Sequence, residues 1–461
     1  MKPIKYILVA SITIFIFISC KIGHTYESPD LKDMPATFET STSAQGITAD
    51  IGWSTLYSDP VLTQLIDRAL QHNKDMLIAT ARIKEMIANK RIRFTPLLPE
   101  VGIEIAGQRE YLNYSGDNPT YDPEVRANMN MAWELDVWGN LRWQNEAGIA
   151  QYMQSVEAQR ALHLTIVAQV AQAYFELKAL DRELLIVKQT LDARQEGVRF
   201  AKLRYEGGLT SEIPYSQSLV ELARTETLVP ELENKIKLKE NDLAVLVGEY
   251  PSSIIPRGAD IDDLKIPDSL PIDIPSSLLR YRPDVQMAEQ RLIEYNAQVG
   301  TALTDMFPKI RLTGRIGGEN NELANFLESP TWFISGLLTG PIFNFGKNKA
   351  KHEAAKAAYE QEVYSYEKTV LNVFKEVNNT VSSFEKAKEM HKSQEQLYSS
   401  AQSYHKLARL QYINGIINYI DVLDAQRQLF DAEIALNDAI LNELTAIVNL
   451  YKALGGGIVK E

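Results

Sequence analysis

The stretch Val170–Tyr205, VAQAYFELKALDRELLIVKQTLDARQEGVRFAKLRY, sets the architecture of this chain. Apolar residues recur there every seven positions: Val170, Leu177, Leu184, Leu191, Val198 and Tyr205. A second row three residues on holds Ala173, Leu180, Val187 and Ala201, broken by Arg194. Sustained heptads of this kind mark a helix that packs along its whole length against neighbouring helices. The pattern begins near Leu141 and ends at Gly207-Gly208, which predicts a rod of roughly 65 residues, or about 95 Å at 1.5 Å rise per residue. No compact domain of ordinary size encloses such a rod.

Just upstream, two runs alternate with period two. Val101, Ile103, Ile105 and Gly107 alternate with Gly102, Glu104, Ala106 and Gln108. Ala127, Met129, Met131, Trp133, Leu135 and Val137 alternate with Asn128, Asn130, Ala132, Glu134 and Asp136. Each predicts a strand, about 100–110 and 127–138, with one apolar and one polar face. Residues 112–125 between them read as a polar loop. Further upstream, Asp59-Pro60 opens a helix to about Phe94, ended by Pro96-Leu97-Leu98-Pro99. Downstream of the rod, a helix from about Glu212 to Val247 gives way to a connector, 248–275, with Pro251, Pro256, Pro267, Pro271 and Pro275 and no helical period.

The order then repeats. A helix is expected over Ser276–Thr304, strands over about 309–317 and 331–345, a second long helix to about Tyr412, a turn at Gly415 and a last helix to Leu454. Pro99 and Pro308 lie 209 residues apart, as do Asp75 and Asp284, and Arg82 and Arg291. Gly139 and Gly346 lie 207 apart, as do Gly208 and Gly415. Landmarks recurring in the same order indicate a tandem duplication of a helix–strand–strand–helix–helix unit, 59–247 and 276–454, with a tail at 455–461.

The 461 residues are 45% hydrophobic and 23% charged, the balance of a folded protein. Past residue 20, nothing is apolar for the ~18 residues a membrane helix needs. Lys2 and Lys5 precede the apolar run Tyr6–Ile18 and Ser19-Cys20, the form of a secretory signal over 1–19. Cys20 is the only cysteine. It reads either as a leftover thiol beside a cleavage site or as the acylated residue of a bacterial lipoprotein. The run Phe17-Ile18-Ser19-Cys20 resembles a lipobox, with Phe17 in place of the usual Leu. Acyl chains there contribute ~0.8 kcal/mol of membrane affinity per buried CH₂. Residues 20–58 then form the lipid anchor and an extended tether. Removing Lys2 and Lys5 with the signal moves the formal charge from −12 to −14. With no strongly basic stretch, nucleic acid is excluded as a partner.

Four amphipathic strands alone leave two unpaired edges. In lipid each orphan backbone group costs several kcal/mol, so the strands must close with copies of themselves. Two chains give about eight strands and a filled barrel; three give about twelve and a channel. Trp133, Trp138, Trp143, Trp332, Phe343 and Phe345 fit interfacial belts. The alternative is a helical protein with a small solvated hairpin domain.

Ordered stretches across the mature chain resemble the outer membrane efflux protein family, the TolC-like outer membrane factors, in its lipoprotein branch. They are Trp53–Ile66, with its WxxLxxDPxLxxLI pattern, Trp133–Gly139, Tyr174–Leu177, Arg204–Ser211, Leu278–Val285, Phe307–Ile310 and Tyr419–Gln426. The resemblance implies a mainly α fold with a small membrane β part. In it, a homotrimer builds a 12-stranded transmembrane barrel and a long α-helical barrel, with an equatorial region formed by the termini and the connector. It implies passive export of drugs or other small toxic solutes, handed on by an inner-membrane pump of the resistance-nodulation-division type and a periplasmic adaptor. The outer membrane lipid is its remaining partner, and it needs no cofactor or metal.

The resemblance also places a periplasmic gate at the two helix turns, Gly207-Gly208-Leu209-Thr210-Ser211 and Asn414-Gly415-Ile416, which are expected to meet the adaptor and pump. Asp421 and Asp424 lie three apart on one helix face. In three copies their carboxylates form rings that attract cations. Tyr412 matches a latching tyrosine of the family, but the latch partners fall on Pro214 and Ile417. Glu206, Glu212 or Asn418 are the candidates to replace them. A duct for metal ions or secreted polypeptides and a helical lipoprotein scaffold or adhesin are the other readings. An enzyme is disfavoured: G-x-S-x-G, H-E-x-x-H, a P-loop and C-x-x-C are all missing, and the six histidines include no i,i+4 pair.

Overall fold

The computed structural model describes residues 21–29, 34–35, 52–53, 59–113, 116, 120–264, 275–322, 325 and 328–456. Among them lie eight α-helices: α1 (Pro60–His72), α2 (Lys74–Phe94), α3 (Asn140–Glu206), α4 (Ile213–Leu246), α5 (Pro275–Tyr281), α6 (Pro283–Thr304), α7 (Lys347–Ile413) and α8 (Tyr419–Ala453). The strands are β1 (Glu100–Leu112), β2 (Thr120–Leu135), β3 (Lys309–Asn320) and β4 (Pro330–Thr339). The two rods, α3 and α7, have 67 residues each.

Two compact units result. One gathers Ala81–Glu157, Gln286–Lys368 and the described residues 21–29. Its sheet runs β1-β2-β3-β4, every pair antiparallel. The central pair, β2 with β3, joins the two repeats. In the same unit α3 lies against α6. The buried Trp143 ring covers Gly300, Ala147 meets Ala297, and Gln151 and Gln154 both donate to Glu294 at 2.7 Å. Asn140 Nδ2 donates to Thr304 Oγ1 at 2.9 Å. On its other side α3 meets α2, where Lys90 stands 4.7 Å from the Tyr152 ring centre. α6 meets α7 through the Arg291–Glu362 ion pair at 2.9 Å.

The second unit holds the remaining described residues. Its buried side chains include Leu62, Leu65 and Ile66 of α1, Val170, Tyr174 and Leu177 of α3, and Ile447, Val448 and Leu450 of α8. Asp59 caps α1: its Oδ1 accepts from Val61 N at 2.8 Å, while its Oδ2 accepts from the Tyr174 hydroxyl at 2.6 Å. That hydroxyl accepts from Gly258 N at 3.0 Å, so one buried carboxylate ties α1, the rod and the connector.

Several boundaries differ from the expectation. The helix expected from 59 to 94 breaks at Asn73, whose Oδ1 accepts from Asp75 N at 2.8 Å and restarts the chain as α2. The helix expected over 276–304 breaks at Arg282, because Pro283 supplies no N–H to continue it. The fourth strand stops at Thr339 rather than 345, where Gly340-Pro341 ends the ladder. Part of the expected 112–125 loop is strand, since the hairpin ladder continues from Leu112 to Thr120.

Candidate functional site

The sheet presents two chemically distinct faces. On one, the cross-strand rows read Ile103–Met129–Ile316–Trp332, Val101–Met131–Gly314–Ile334 and Trp133–Leu312–Gly336. Ile103, Ile105, Trp332 and Ile334 are each 76–77% exposed, an apolar surface of the kind that marks a membrane or protein contact. The opposite face carries Glu104, Arg126, Asn128, Asn130, Glu134, Arg311, Thr313 and Arg315. Arg126 pairs with Glu104 at 3.2 Å and Glu124 at 3.3 Å. β1 and β4 are edges in a single chain. Apolar out, polar in and edges awaiting closure are the attributes of a wall of a membrane pore.

In the other unit, two tight turns close the rods. Gly207 N donates to Leu203 O, Gly208 N to Tyr205 O and Leu209 N to Arg204 O, with Gly208 at φ 70°. Gly415 N donates to Tyr412 O and Ile416 N to Gln411 O, with Gly415 at φ 73°. A positive φ past a helix end favours glycine because a Cβ clashes there. Asn414 Nδ2 donates to Leu410 O at 2.8 Å. Leu209 and Ile416 are about 70% exposed. Thr210 Oγ1 has no hydrogen-bond partner, and Ser211 is exposed.

Tyr412 is buried against Ala201, Tyr419 and Val422, with Tyr215, Ile417 and Leu423 packed around them. The Arg204 guanidinium stands 5.0 Å from the Tyr412 ring centre and 5.9 Å from that of Phe200. Tyr412 and Tyr419 ring centres are 5.3 Å apart. Burial, and then neighbouring Tyr412, pushes the Tyr419 hydroxyl up to about 12. Glu206, Glu212 and Asn418 make no hydrogen bond to Tyr412 among the described residues. Asn418 instead forms a reciprocal cap with Asp421 at the start of α8, and Asp421 Oδ2 accepts from Asn418 N at 3.0 Å. Asp424 pairs with Arg427 at 2.7 Å and accepts from Gln428 at 2.7 Å. The sequence reading missed this aromatic cluster. Its signal was the tyrosine at both ends of each turn, Tyr205 and Tyr215, Tyr412 and Tyr419.

Elsewhere, a groove of about 360 Å³ is lined by residues that include Arg182, His391, Glu433 and Asn437. His391 Nδ1 lies 2.5 Å from Glu443, which makes it a packed helix residue. Among the described residues no three metal-ligating side chains cluster. Cys20 lies outside the described residues.

A sheet with a lipid-type face and a helical body of paired rods define a membrane channel of the outer-membrane type. The family model described as outer membrane efflux protein matches residues 65–249 and 274–456, two spans whose starts lie 209 apart and whose ends lie 207 apart. A curated relative, the probable outer membrane lipoprotein SilC of Salmonella typhimurium, is 30% identical over 366 residues, 76% of this chain and 77% of the relative. The toluene efflux pump outer membrane protein TtgC of Pseudomonas putida is 30% identical over 366 residues, 76% of this chain and 75% of the relative. The solved structure of the MtrE outer membrane channel of Neisseria gonorrhoeae matches with a TM-score of 0.89 at 28% identity, over 95% of this chain and 99% of that one. The chain belongs to the outer membrane efflux protein family. It is an outer-membrane efflux channel with the TolC-like fold.

Proposed function

We propose that three copies of this chain close into a 12-stranded outer-membrane barrel and a helical barrel, forming the passive exit duct of a tripartite efflux system. It carries no reaction of its own. The observation that bears most weight is the sheet: one face mainly apolar, the other mainly polar, both edges free within the chain.

The repeats supply a second argument for closure between copies. By the 207/209 spacing, α3 corresponds to α7 and α6 to α2. Within one chain α6 covers α3 through Ala297 on Ala147, but the corresponding Ala88 and Ala354 are both exposed. So are Arg91 and Ala350, the counterparts of Gly300 and Trp143. The missing fourth contact is completed by α2 of the next copy on α7. Cys20 anchors each copy by acyl chains. The exposed Leu209 and Ile416, with Gly207, Gly208, Thr210, Ser211, Asn414 and Gly415, form the surface that receives the periplasmic adaptor and, through it, a resistance-nodulation-division pump. The opening is lined by Asp421 and Asp424, and the cluster around Tyr412 replaces the family's hydrogen-bonded latch. The solutes are drugs or other small toxic compounds, because type I secretion ducts usually lack a lipid anchor; metal cations are the second reading.

Ala88→Cys with Ala354→Cys tests the assembly, since Cys20 is the only other cysteine. Oxidation is expected to give linked dimers and trimers, and the purified protein is expected to conduct ions across a planar bilayer. A monomer that neither links nor conducts overturns the reading. Export of dyes, but not of metal ions, by cells carrying the duct with its pump separates the two cargo readings.

A further inference from the structure

The polar face of the sheet is ordered in rows. Gly102, Asn130, Arg315 and Phe333 share one row, Glu104, Asn128, Gly317 and Thr331 the next, and Ala106, Arg126 and Glu319 the one after. Charge is matched in the last two, where Arg126 bridges Glu104 and Glu124. Arg315 is the sole charge of its row. Among the described residues no carboxylate pairs with it, its Nε has no hydrogen-bond partner, and its guanidinium lies 6.0 Å from the Phe333 ring centre. Two rows away, Arg311 likewise has no ion pair among the described residues, and Glu134 opposite it pairs with Lys309 at 3.4 Å.

Beside Arg315 sits Asn128, only 2% exposed, with neither its Nδ2 nor its Oδ1 hydrogen-bonded. Its amide lies on bare backbone: a Cβ at Gly317 would collide with it and with the Ala127 carbonyl. Thr331 Oγ1 and Arg126 Nε are likewise without partners. Buried polar atoms in folded proteins are nearly always paired, so four side chains with an unpaired buried atom, on three adjacent strands and in three successive rows, indicate a missing partner. All four offer donors. A guanidinium fork matches the oxygens of phosphate, sulfate or carboxylate groups, and rings of arginine in a pore favour anions.

We propose that this level is an anion-binding collar. The three Arg315 side chains of the assembled duct, backed by Asn128 Nδ2 and the Thr331 hydroxyl, hold oxyanionic groups of passing solutes, and Arg311 forms an approach ring along the same face. The inference rests on the trimeric duct with its polar face inward.

The probe is inorganic triphosphate, added on either side of single channels in planar bilayers. It is expected to block the wild-type current. Arg315→Gln raises the half-blocking concentration at least tenfold, and Asn128→Ala raises it severalfold. Arg315→Lys keeps the charge and the fold but loses the fork, and falls between wild type and Arg315→Gln. Conducting wild-type channels indifferent to triphosphate, or Arg315→Gln and Arg315→Lys channels both blocked as wild type, overturn the collar and leave the duct standing. A protein that stays monomeric and does not conduct removes both.

Discussion

The two repeats share their joints and differ in their cover. Asn73 and Arg282, 209 residues apart, do the same work: Asn73 Nδ2 donates to Leu246 O at 2.9 Å and Arg282 donates to Ala453 O at 2.6 Å. Each ties the break between two helices to the last turn of its repeat's closing helix. The turns match too, with Gly208 and Gly415 at φ 70° and 73°. The rods differ. The start of α3 is buried under α6, with Trp143 at 1% exposure, whereas the start of α7, with Lys347, Ala350 and Ala354, is exposed. Duplication copied the hinges within each half, but it made the lateral contact an alternation. One such contact closes inside the chain, and its twin is open, with both of its sides exposed.

The largest effects follow from that contrast. Trp143→Ala empties a filled site and is expected to cost about 3–5 kcal/mol of unfolding free energy, read by chemical denaturation. Ile92→Asp, on the exposed α2, is expected to leave the helical content intact but to reduce the trimer fraction about tenfold on sedimentation, since a charge placed in an apolar contact is left unpaired. If Ile92→Asp unfolds the single chain, or if it leaves trimers undisturbed, the asymmetry between the repeats is wrong.

The joints come next. Arg282 is 7% exposed and also bonds Asp284 at 2.7 Å and Glu376 at 2.6 Å. Arg282→Ala strands a carbonyl and two partly exposed carboxylates, for a loss of about 2–3 kcal/mol. Asn73→Ala removes a helix cap and one carbonyl contact, for about 1–2 kcal/mol. Equal losses would mean that the second joint's extra ion pairs contribute nothing. A smaller cost, about 1 kcal/mol each, is expected for Gly208→Ala and Gly415→Ala, because both put a Cβ at positive φ. Thermal melts check it, and unequal shifts would show that the two turns are not equivalent.

Much of this could be read in the residues. The heptads from Val170 gave a rod ending at Gly207-Gly208, against an observed last residue of Glu206, and alternation around Ile103 and Met129 gave two strands, because both signals are local and periodic. The breaks at Asn73 and Arg282 had local marks that went unread, the Asn73 cap and Pro283, whereas the carbonyls that anchor each joint lie at least 170 residues away, which no local pattern encodes. The strand ends were hidden likewise, since ladder length depends on the partner strand. At the tip, Tyr412 was visible as a heptad residue. Its partners Phe200, Arg204, Tyr215 and Tyr419 come from three further segments, so their convergence required the fold. Asp421 was expected with Asp424 as a gate carboxylate, and its cap with Asn418 depends on the backbone at the start of α8.

The smallest effect concerns a site that only the first repeat has. Glu183 on α3 corresponds to Met390 on α7, which is 55% exposed. Burial, and then the charge of Asp438, raises the Glu183 carboxyl above its usual range, and burial raises Asp438 as well. A carboxyl with a raised folded pKa binds its proton more tightly in the native state than in the unfolded one. Its contribution to stability is therefore complete below the unfolded pKa and is lost as pH rises through the folded value. Above that window the native state carries an ionised, half-buried carboxylate beside a second one. Glu183→Gln removes that cost and is expected to raise the melting temperature at about pH 8 while leaving it unchanged at about pH 4, where the native carboxyl is protonated. Met390→Gln is expected to show no such pH dependence. A Glu183→Gln gain that persists undiminished at acid pH would place its origin in packing and dissolve this last difference between the two rods.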